Sequence, residues 1–286
     1  MKKIIIIIAI IIVIIAIIGV AIFAFYFFSS EEEEKKLKEE EPEPTFSLLE
    51  TGEVPYDQEY KYEIETAEFI IYPMDSETFN FGYFEAYNKG EKIFASSPLY
   101  MISDIMAFEY DGNKYIIVTD FTGGAHCCFS EYIFVLNKDN ELKLLEEMYL
   151  GETSIIKENI IMQGDNLYIR ILDDRFAYFY TPYVTSYFFP QYLEVKPEGF
   201  EINNQAFKQD YLKEADRCEK EMLEDLGEEF EYYSPLLVCI VANYILAGED
   251  DLAWQIFDEY SEIVPSNYYG QTVDLEQFKK ELKELL

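Results

Sequence analysis

The chain is short of histidine, tryptophan, cysteine and positive charge. It has 1 histidine, 1 tryptophan and 4 cysteines in 286 residues, and 22 basic residues stand against 56 acidic ones. The single histidine, His126, excludes the two-histidine ligand sets common at zinc sites and leaves carboxylates as the only other general bases. The sequence also has no C-x-x-C pair, phosphate-binding loop or Ser-His-Asp set. These absences favour a non-catalytic protein.

The charge balance limits the partners of the folded part. The formal net charge is -34, and such a polyanion is repelled by nucleic acid and by anionic lipid. We therefore expect no nucleic-acid partner. The missing phosphate-binding loop and metal-ligand spacing lead us to expect no cofactor. We interpret the acidity as a solvated surface, and the alternative is attraction of Ca²⁺ or of cationic partners.

An uncharged apolar run spans Ile4–Phe28 and is long enough to cross a hydrocarbon layer as a helix. Its length favours an uncleaved anchor over a signal peptide, although a cleaved signal is the alternative. Lys2 and Lys3 predict a cytoplasmic N-terminus, with the bulk of the chain outside the cell membrane. The predicted segments are a tail at 1–3, the anchor at 4–28, a charged linker at 29–45, a β-rich extracytoplasmic domain at 46–204 and an α-helical region at 205–286.

The β-rich part has short aromatic and β-branched runs separated by turn residues. We predict an α+β fold in which an antiparallel meander, barrel-like or propeller-like, precedes a small helical part. Asp111-Gly112-Asn113 is typical of a tight hairpin turn. The predicted strands cover 60–72, 78–87, 92–96, 105–110, 114–120, 129–136, 141–148, 166–172, 176–180 and 192–195.

The stretch Tyr115–Leu136 is the most distinctive, because the insert TGGAHCC separates two apolar runs. Its glycines indicate a positive φ or a close approach of the backbone to another segment. Four interpretations compete. The first is structural packing with one buried cysteine, and the second is a disulfide between the adjacent cysteines. The third is a metal site on His126 and Cys127 completed by Asp120, Asp104 or a distant cysteine, and the fourth is a Cys-His nucleophile or redox thiol. The candidate residues are Asp120, Gly123, Gly124, His126, Cys127 and Cys128.

A second segment, DDRFAYFY, contains Arg175, one of very few arginines. We expect its guanidinium to pair with Asp173 or Asp174, or to stack on Phe176 or Tyr178. The alternative is a clamp for a ligand carboxylate.

These two segments together resemble a family of exported bacterial proteins of unknown function that carry GGAHCC and a downstream D-x-RF-x-Y segment with a Ser and a Pro. The resemblance implies export and a β-fold but no reaction. In that family an acidic, calcium-loop-like turn often precedes the motif, whereas this chain has only 109–113, which is short of acidic ligands. The matching positions are Gly123, Gly124, Ala125, His126, Cys127, Cys128, Asp173, Arg175, Phe176, Tyr178, Ser186 and Pro190.

Helical periodicity begins after Asn204 and predicts helices over 207–226, 236–246, 250–263 and 275–286, the last capped by Asp274. The spacing from Tyr244 to Pro265 is similar to one tetratricopeptide repeat, and we interpret it as a structural helix pair. Cys218 and Cys239 fall on successive helices, so our preferred pairing is Cys218 with Cys239 and Cys127 with Cys128.

We therefore expect a membrane-anchored extracytoplasmic binding or envelope-associated module with a ligand at the TGGAHCC edge and a possible protein or cell-envelope partner. The alternative is a metal- or thiol-dependent enzyme that uses His126 with Cys127 or Cys128, for which a divalent metal would be the cofactor.

Overall fold

The computed structural model describes residues 45–55, 57–73, 81–123, 128–225, 234–261, 267–268 and 271–286. The predicted tail, anchor and nearly all of the linker, 1–44, lie outside these residues. None of the helices in the described ranges is both long and apolar enough to cross a membrane.

Strands occupy most of the first part of the described chain. They are β1 Phe46–Glu53, β2 Tyr60–Ile64, β3 Ala67–Tyr72, β4 Tyr83–Asn88, β5 Glu91–Ala95, β6 Ile102–Tyr110, β7 Asn113–Phe121, β8 Phe129–Leu136, β9 Leu142–Gly151, β10 Ile160–Gln163, β11 Asn166–Asp173, β12 Phe189–Lys196, β13 Gly199–Ile202, β14 Asn267–Tyr268 and β15 Gln271–Thr272.

Four α-helices follow β13 in the described ranges: α1 Lys208–Asp225, α2 Ser234–Leu246, α3 Asp250–Tyr260 and α4 Leu275–Leu285. The carboxylate of Asp274 accepts hydrogen bonds from the backbone N–H groups of Glu276 and Gln277, which confirms the predicted cap. The α+β class, with antiparallel sheets and a C-terminal helical part, is therefore confirmed.

The strands form three antiparallel sheets and one short hairpin. The central sheet has the order β1-β6-β7-β8-β9. The four-stranded meander β2-β3-β4-β5 lies in sequence between β1 and β6, and the meander β10-β11-β12-β13 follows β9. Asp111 and Gly112 have φ values of 48° and 70°, so the predicted β6–β7 turn forms where glycine tolerates the left-handed region.

The sheets pack as layers because their strands alternate side chains between two faces. Ile116 and Phe134 lie on one face of the central sheet and pack on Phe69 and Phe84 of the β2–β5 sheet. On the opposite face, neighbours such as Ile117 and Ile133 pack against the β10–β13 sheet. The outer face of that last sheet carries Tyr168 and Tyr192, which contact Phe207 and Tyr211 at the start of the helical layer.

Two strand predictions were wrong. Residues 60–72 form a hairpin rather than one strand, since Glu65, with a φ of 51°, allows a turn there without glycine. Residues 176–180 alternate as a strand would, but Tyr178 and Tyr180 have φ values of 63° and 49° and the segment is a series of turns. The sequence reading also missed β1, β10 and β13, which lie at sheet edges.

Candidate functional site

The insert TGGAHCC joins β7 to β8 at one edge of the central sheet. Gly124, Ala125, His126 and Cys127 lie outside the described residues, so the metal and thiol predictions on His126 and Cys127 also lie there. Gly123 is described, with a φ of +77°, and a Cβ added to it would come within 2.5 Å of the Tyr100 ring. Both features expected of a glycine here, positive φ and close approach, are found.

Cys128 is disulfide-bonded, and its side chain is buried. The hydroxyl of Tyr149 on β9 donates to Cys128 Sγ at 2.6 Å. The backbone N–H of Thr122 donates to the Cys128 carbonyl at 3.0 Å, which closes the base of the insert. Cys128 is thus held by covalent and hydrogen bonds and offers no thiol in this state.

Asp120 is buried at the end of β7 and serves the same edge. Its carboxylate accepts from the Met101 backbone N–H at 3.1 Å. Burial raises the pKa of Asp120, while hydrogen bonds from the Met101 and Tyr100 backbone act in the opposite direction. Asp120 therefore fixes the turn that carries Tyr100, the ring that lies against Gly123.

The two distinctive sequence segments meet at this edge. Phe129 pairs with Gly151 across β8 and β9. Gly151 has a φ of +59°, and a Cβ built there would lie 2.2 Å from the Asp174 carboxylate. The insert and the DDRFAYFY segment are therefore neighbours through β9, although they are far apart in sequence.

Arg175 forms the ion pair that the sequence predicts, with Asp173. Its Nε donates to Asp173 at 2.8 Å, and Gln191 also donates to that carboxylate at 2.8 Å. The remaining arm, Nη1, donates to the Leu285 carbonyl at 2.7 Å, and the guanidinium lies 5.9 Å from the Phe176 ring centroid. Arg175 links the sheet to the last helix, which is a structural role.

Glu131, which the sequence reading missed, is fully buried on β8. Its carboxyl oxygens accept from Thr119 Oγ1 at 2.6 Å and from the Ile155 backbone N–H at 2.8 Å. Burial raises the pKa of Glu131 to about 8, and the nearby carboxylates of Asp104 and Asp120 add to the rise. Both carboxyl oxygens of Glu131 are thus paired within the protein, and the raised pKa favours its protonated form at neutral pH.

A second location was not predicted: a cleft of about 400 Å³ between the entrance of β12 and the first two helices. We call it the helix cleft, and its volume falls within the range of small-molecule sites. It includes Ser186 and Pro190, which lie downstream of the DDRFAYFY segment and for which the sequence predicts no role. The helix cleft is lined by Ser186, Tyr187, Phe188, Pro190, Asp210, Tyr211, Glu214 and Asn243.

Asn243 is the unusual residue of the helix cleft. It is 0% exposed, on a helix whose neighbouring side chains are apolar. Its Nδ2 donates to the Cys239 carbonyl at 2.8 Å, whereas its Oδ1 has no hydrogen-bond partner among the described residues. Buried polar atoms are nearly always paired, so an unpaired one indicates a missing partner. The sequence signal for this buried polar group is a single asparagine within the mostly apolar run SPLLVCIVANYIL.

The Cys218–Cys239 disulfide forms as predicted, with a Cα–Cα distance of 6.2 Å, and it contacts two lining residues of the helix cleft, Tyr187 and Asn243. The Tyr187 hydroxyl lies 3.2 Å from Cys218 Sγ and also donates to Glu214. Glu214, Cys218 and Cys239 form a possible metal-ligand group by distance alone. Because the two sulfurs are bonded to each other, neither offers the thiolate that a metal requires.

Comparisons with known proteins provide no relative from which a role for these residues could be inferred. No family model, no curated protein and no solved structure matches this chain.

Proposed function

We propose that this protein is a membrane-anchored, extracytoplasmic binding module without catalytic activity, and that its ligand site is the helix cleft. This differs from the sequence expectation in one respect, because the ligand moves from the TGGAHCC edge to the helices. The described candidates at that edge, Asp120, Gly123, Cys128 and Arg175, all serve contacts that hold the protein together.

The observation that carries the proposal is the unpaired Oδ1 of Asn243. Leaving a buried acceptor without a partner costs about 1–3 kcal/mol. Apolar residues surround it on the same helix, so a leucine would fit the pattern without that penalty. A ligand that donates a hydrogen bond to Oδ1 supplies the missing partner and removes this free-energy cost when it binds.

The compartment is inferred from two independent features. The apolar run Ile4–Phe28 has the length and flanking charge of an N-terminal anchor. Cys128, Cys218 and Cys239 are all in disulfides, which persist in oxidising, extracytoplasmic environments. A cell-envelope protein as a partner of the exposed surface belongs to the same proposal.

The fold beyond its α+β class is likewise a proposal. Successive antiparallel meanders that pack face to face favour a propeller-like stack over a closed barrel. The predicted domain limits, 46–204 and 205–286, follow the change from strands to helices.

The alternative, a metal- or thiol-dependent enzyme built on His126 with Cys127 or Cys128, remains a prediction. Cys128 is oxidised, and the other two residues lie outside the described part of the chain. This chemistry gains no support from the residues that surround the insert.

The test is a ligand-observed NMR screen of the full-length protein in detergent micelles, with a panel of small neutral, anionic and cationic compounds. We expect at least one compound to bind the wild type and to lose binding in the Asn243→Leu variant. A panel in which no compound depends on Asn243 would contradict the proposal.

A further inference from the structure

We propose that the helix cleft binds an organic cation, through an ammonium or guanidinium group that donates hydrogen bonds to Asn243 and to the carboxylate of Asp210. This inference rests on the proposed function, since it names the chemical class of ligand for the same site. Three properties of the helix cleft carry it: a fixed buried acceptor, hydroxyl groups that are already engaged with other protein atoms, and an acidic and aromatic lining.

The orientation of the Asn243 amide is fixed by its neighbours. A backbone carbonyl can only accept, so the atom that lies 2.8 Å from the Cys239 oxygen must be the amide nitrogen. The same nitrogen lies 3.4 Å from Cys239 Sγ. Oδ1 therefore points away from both atoms and presents an acceptor, which a ligand satisfies only with an N–H or O–H donor.

The hydroxyl donors of the lining are already used. Tyr211 donates to the Pro190 carbonyl at 2.6 Å, Tyr187 donates to Glu214, and Ser186 lies 3.2 Å from the Pro182 carbonyl. What the described lining offers a ligand is mostly acceptors. An anion or a ligand that needs donors from the protein is poorly matched to such a lining.

Asp210 supplies the negative charge that is open to a ligand. Glu214, one helical turn further along, is already paired with Arg217 at 2.9 Å and accepts a hydrogen bond from Tyr187. A hydrogen bond from Arg217 lowers the pKa of Glu214, so this carboxylate is ionised at neutral pH. Asp210 is exposed, and its lysine contact, to Lys213, is 3.5 Å long between two exposed side chains. Such a pair contributes little, which leaves Asp210 available to an incoming cation.

Aromatic rings complete the match. Tyr187, Phe188 and Tyr211 line the helix cleft together with the carboxylates, and the faces of such rings attract ammonium and guanidinium groups. The chain as a whole carries a charge of -34, which raises the local concentration of cations. The volume of about 400 Å³ suits a free small amine or one basic side chain of a peptide.

The test uses full-length protein in detergent micelles and isothermal titration calorimetry at low and at physiological salt. The probe is cadaverine, a five-carbon diamine, and its neutral and anionic counterparts are 1-pentanol and glutarate. Nα-acetyl-lysine methylamide serves as a second cationic probe that represents a peptide side chain.

We expect cadaverine to bind the wild type and 1-pentanol and glutarate not to bind. Asp210→Asn weakens cadaverine binding about 5-fold to 10-fold, and Asn243→Leu weakens it at least 10-fold. The matched control is Glu224→Gln, which removes the same charge from the same helix at an exposed position outside the cleft lining. It leaves binding within 2-fold of the wild type.

Equal, Asn243-dependent binding of the lysine derivative would extend the ligand class to basic peptides, whereas binding of cadaverine alone restricts it to free amines; either supports the inference. Asn243-dependent binding of 1-pentanol or glutarate without cadaverine would overturn the cation inference and leave the proposed function standing. If cadaverine binds equally to wild type and both cleft variants, the cation site lies elsewhere and the inference is wrong.

Discussion

The edge around the TGGAHCC insert and the helix cleft differ in how the polar groups of their candidate residues are paired. At the edge, the sequence is distinctive, and each described candidate has an assigned structural contact: Asp120 with backbone amides, Cys128 with a disulfide and Tyr149, Arg175 with Asp173. In the helix cleft the sequence is ordinary, yet a buried acceptor on Asn243 lacks a partner among the described residues. The described residues around the unusual motif therefore serve structural contacts, whereas the unsatisfied atom of Asn243 is the basis of the proposed ligand site.

The largest expected effect concerns the edge, at Glu131. Its pKa in the folded protein is about 8 against a usual value of 4.5, so between those pH values the folded protein holds a proton that the unfolded chain has released. The stability of the wild type therefore falls as pH rises from about 4.5 to about 8, by an amount on the order of 4 kcal/mol attributable to this group.

Glu131→Gln removes that dependence, because a neutral amide accepts from Ile155 and donates to Thr119. Urea unfolding at pH 5 and pH 8 measures it: the variant gains stability over the wild type at pH 8 and matches it near pH 5. Glu201→Gln, at an exposed strand position, is the control and follows the wild type. A variant with the full pH slope of the wild type would show that Glu131 is not protonated in the folded state.

The second-largest expected effect concerns the disulfide that contacts the helix cleft. Replacing Cys218 and Cys239 together by alanine opens a loop with a sequence separation of 21, which costs about 3 kcal/mol of unfolding free energy. Because Tyr187 and Asn243 both contact these sulfurs, cadaverine affinity also falls. Denaturation under non-reducing conditions gives the first value and calorimetry the second. A loss below about 1 kcal/mol would mean that the helices are held by packing alone.

A smaller effect belongs to Gly123. Gly123→Ala meets both an unfavourable φ and the Tyr100 ring, whereas Gly90→Ala, at a φ of +81°, has nothing within 4 Å of the added Cβ. We expect both to destabilise by about 1 kcal/mol for the backbone, and Gly123→Ala to cost about 1 kcal/mol more. Equal losses in thermal unfolding of the two variants would indicate that the Tyr100 ring moves aside freely.

The smallest expected effect on stability is that of Asn243→Leu. The sign of this effect shows whether the buried amide of Asn243 lacks a partner in the folded protein. The variant removes an unpaired buried acceptor, and the Cys239 carbonyl keeps its helical backbone partner, so we expect stability unchanged or raised by up to about 1 kcal/mol. Asn159→Leu is the matched control: this buried asparagine donates to the Ser154 carbonyl at 3.2 Å, and its loss costs about 1 kcal/mol. Equal destabilisation of both variants would give Asn243 a purely structural role.

The parts of the fold that could be predicted are those governed by local pattern. Both bounds of the strand 129–136 were predicted correctly. Its apolar side chains lie on both faces of the sheet, and the apolar run ends at Asn137-Lys138-Asp139-Asn140, a sequence that favours a turn. The Cys218–Cys239 bond followed from the helical positions of both cysteines. The α+β class followed from the change of periodicity after Asn204.

Other features depend on contacts that no local pattern contains. The turns at 176–180 have the alternation of a strand, and contacts with distant segments hold them as turns, among them the packing of Phe176 on Phe189 and the hydrogen bond from Arg175 to the Leu285 carbonyl. Glu131 and Asn243 stand out as polar residues within apolar runs, which is a usable signal, but whether such a residue is paired becomes visible only when distant segments meet.

The position of β1 has a consequence for the order in which the protein folds. This strand pairs with β6, so the whole β2–β5 meander forms an excursion between two neighbouring strands. The hairpins β6–β7, β7–β8 and β8–β9 close over a few residues each, whereas β1 must wait for a long loop to close. Early formation of the β2–β5 sheet shortens that search, since it brings the two ends of the excursion together. We therefore expect β1 to join last and, on unfolding, to detach first.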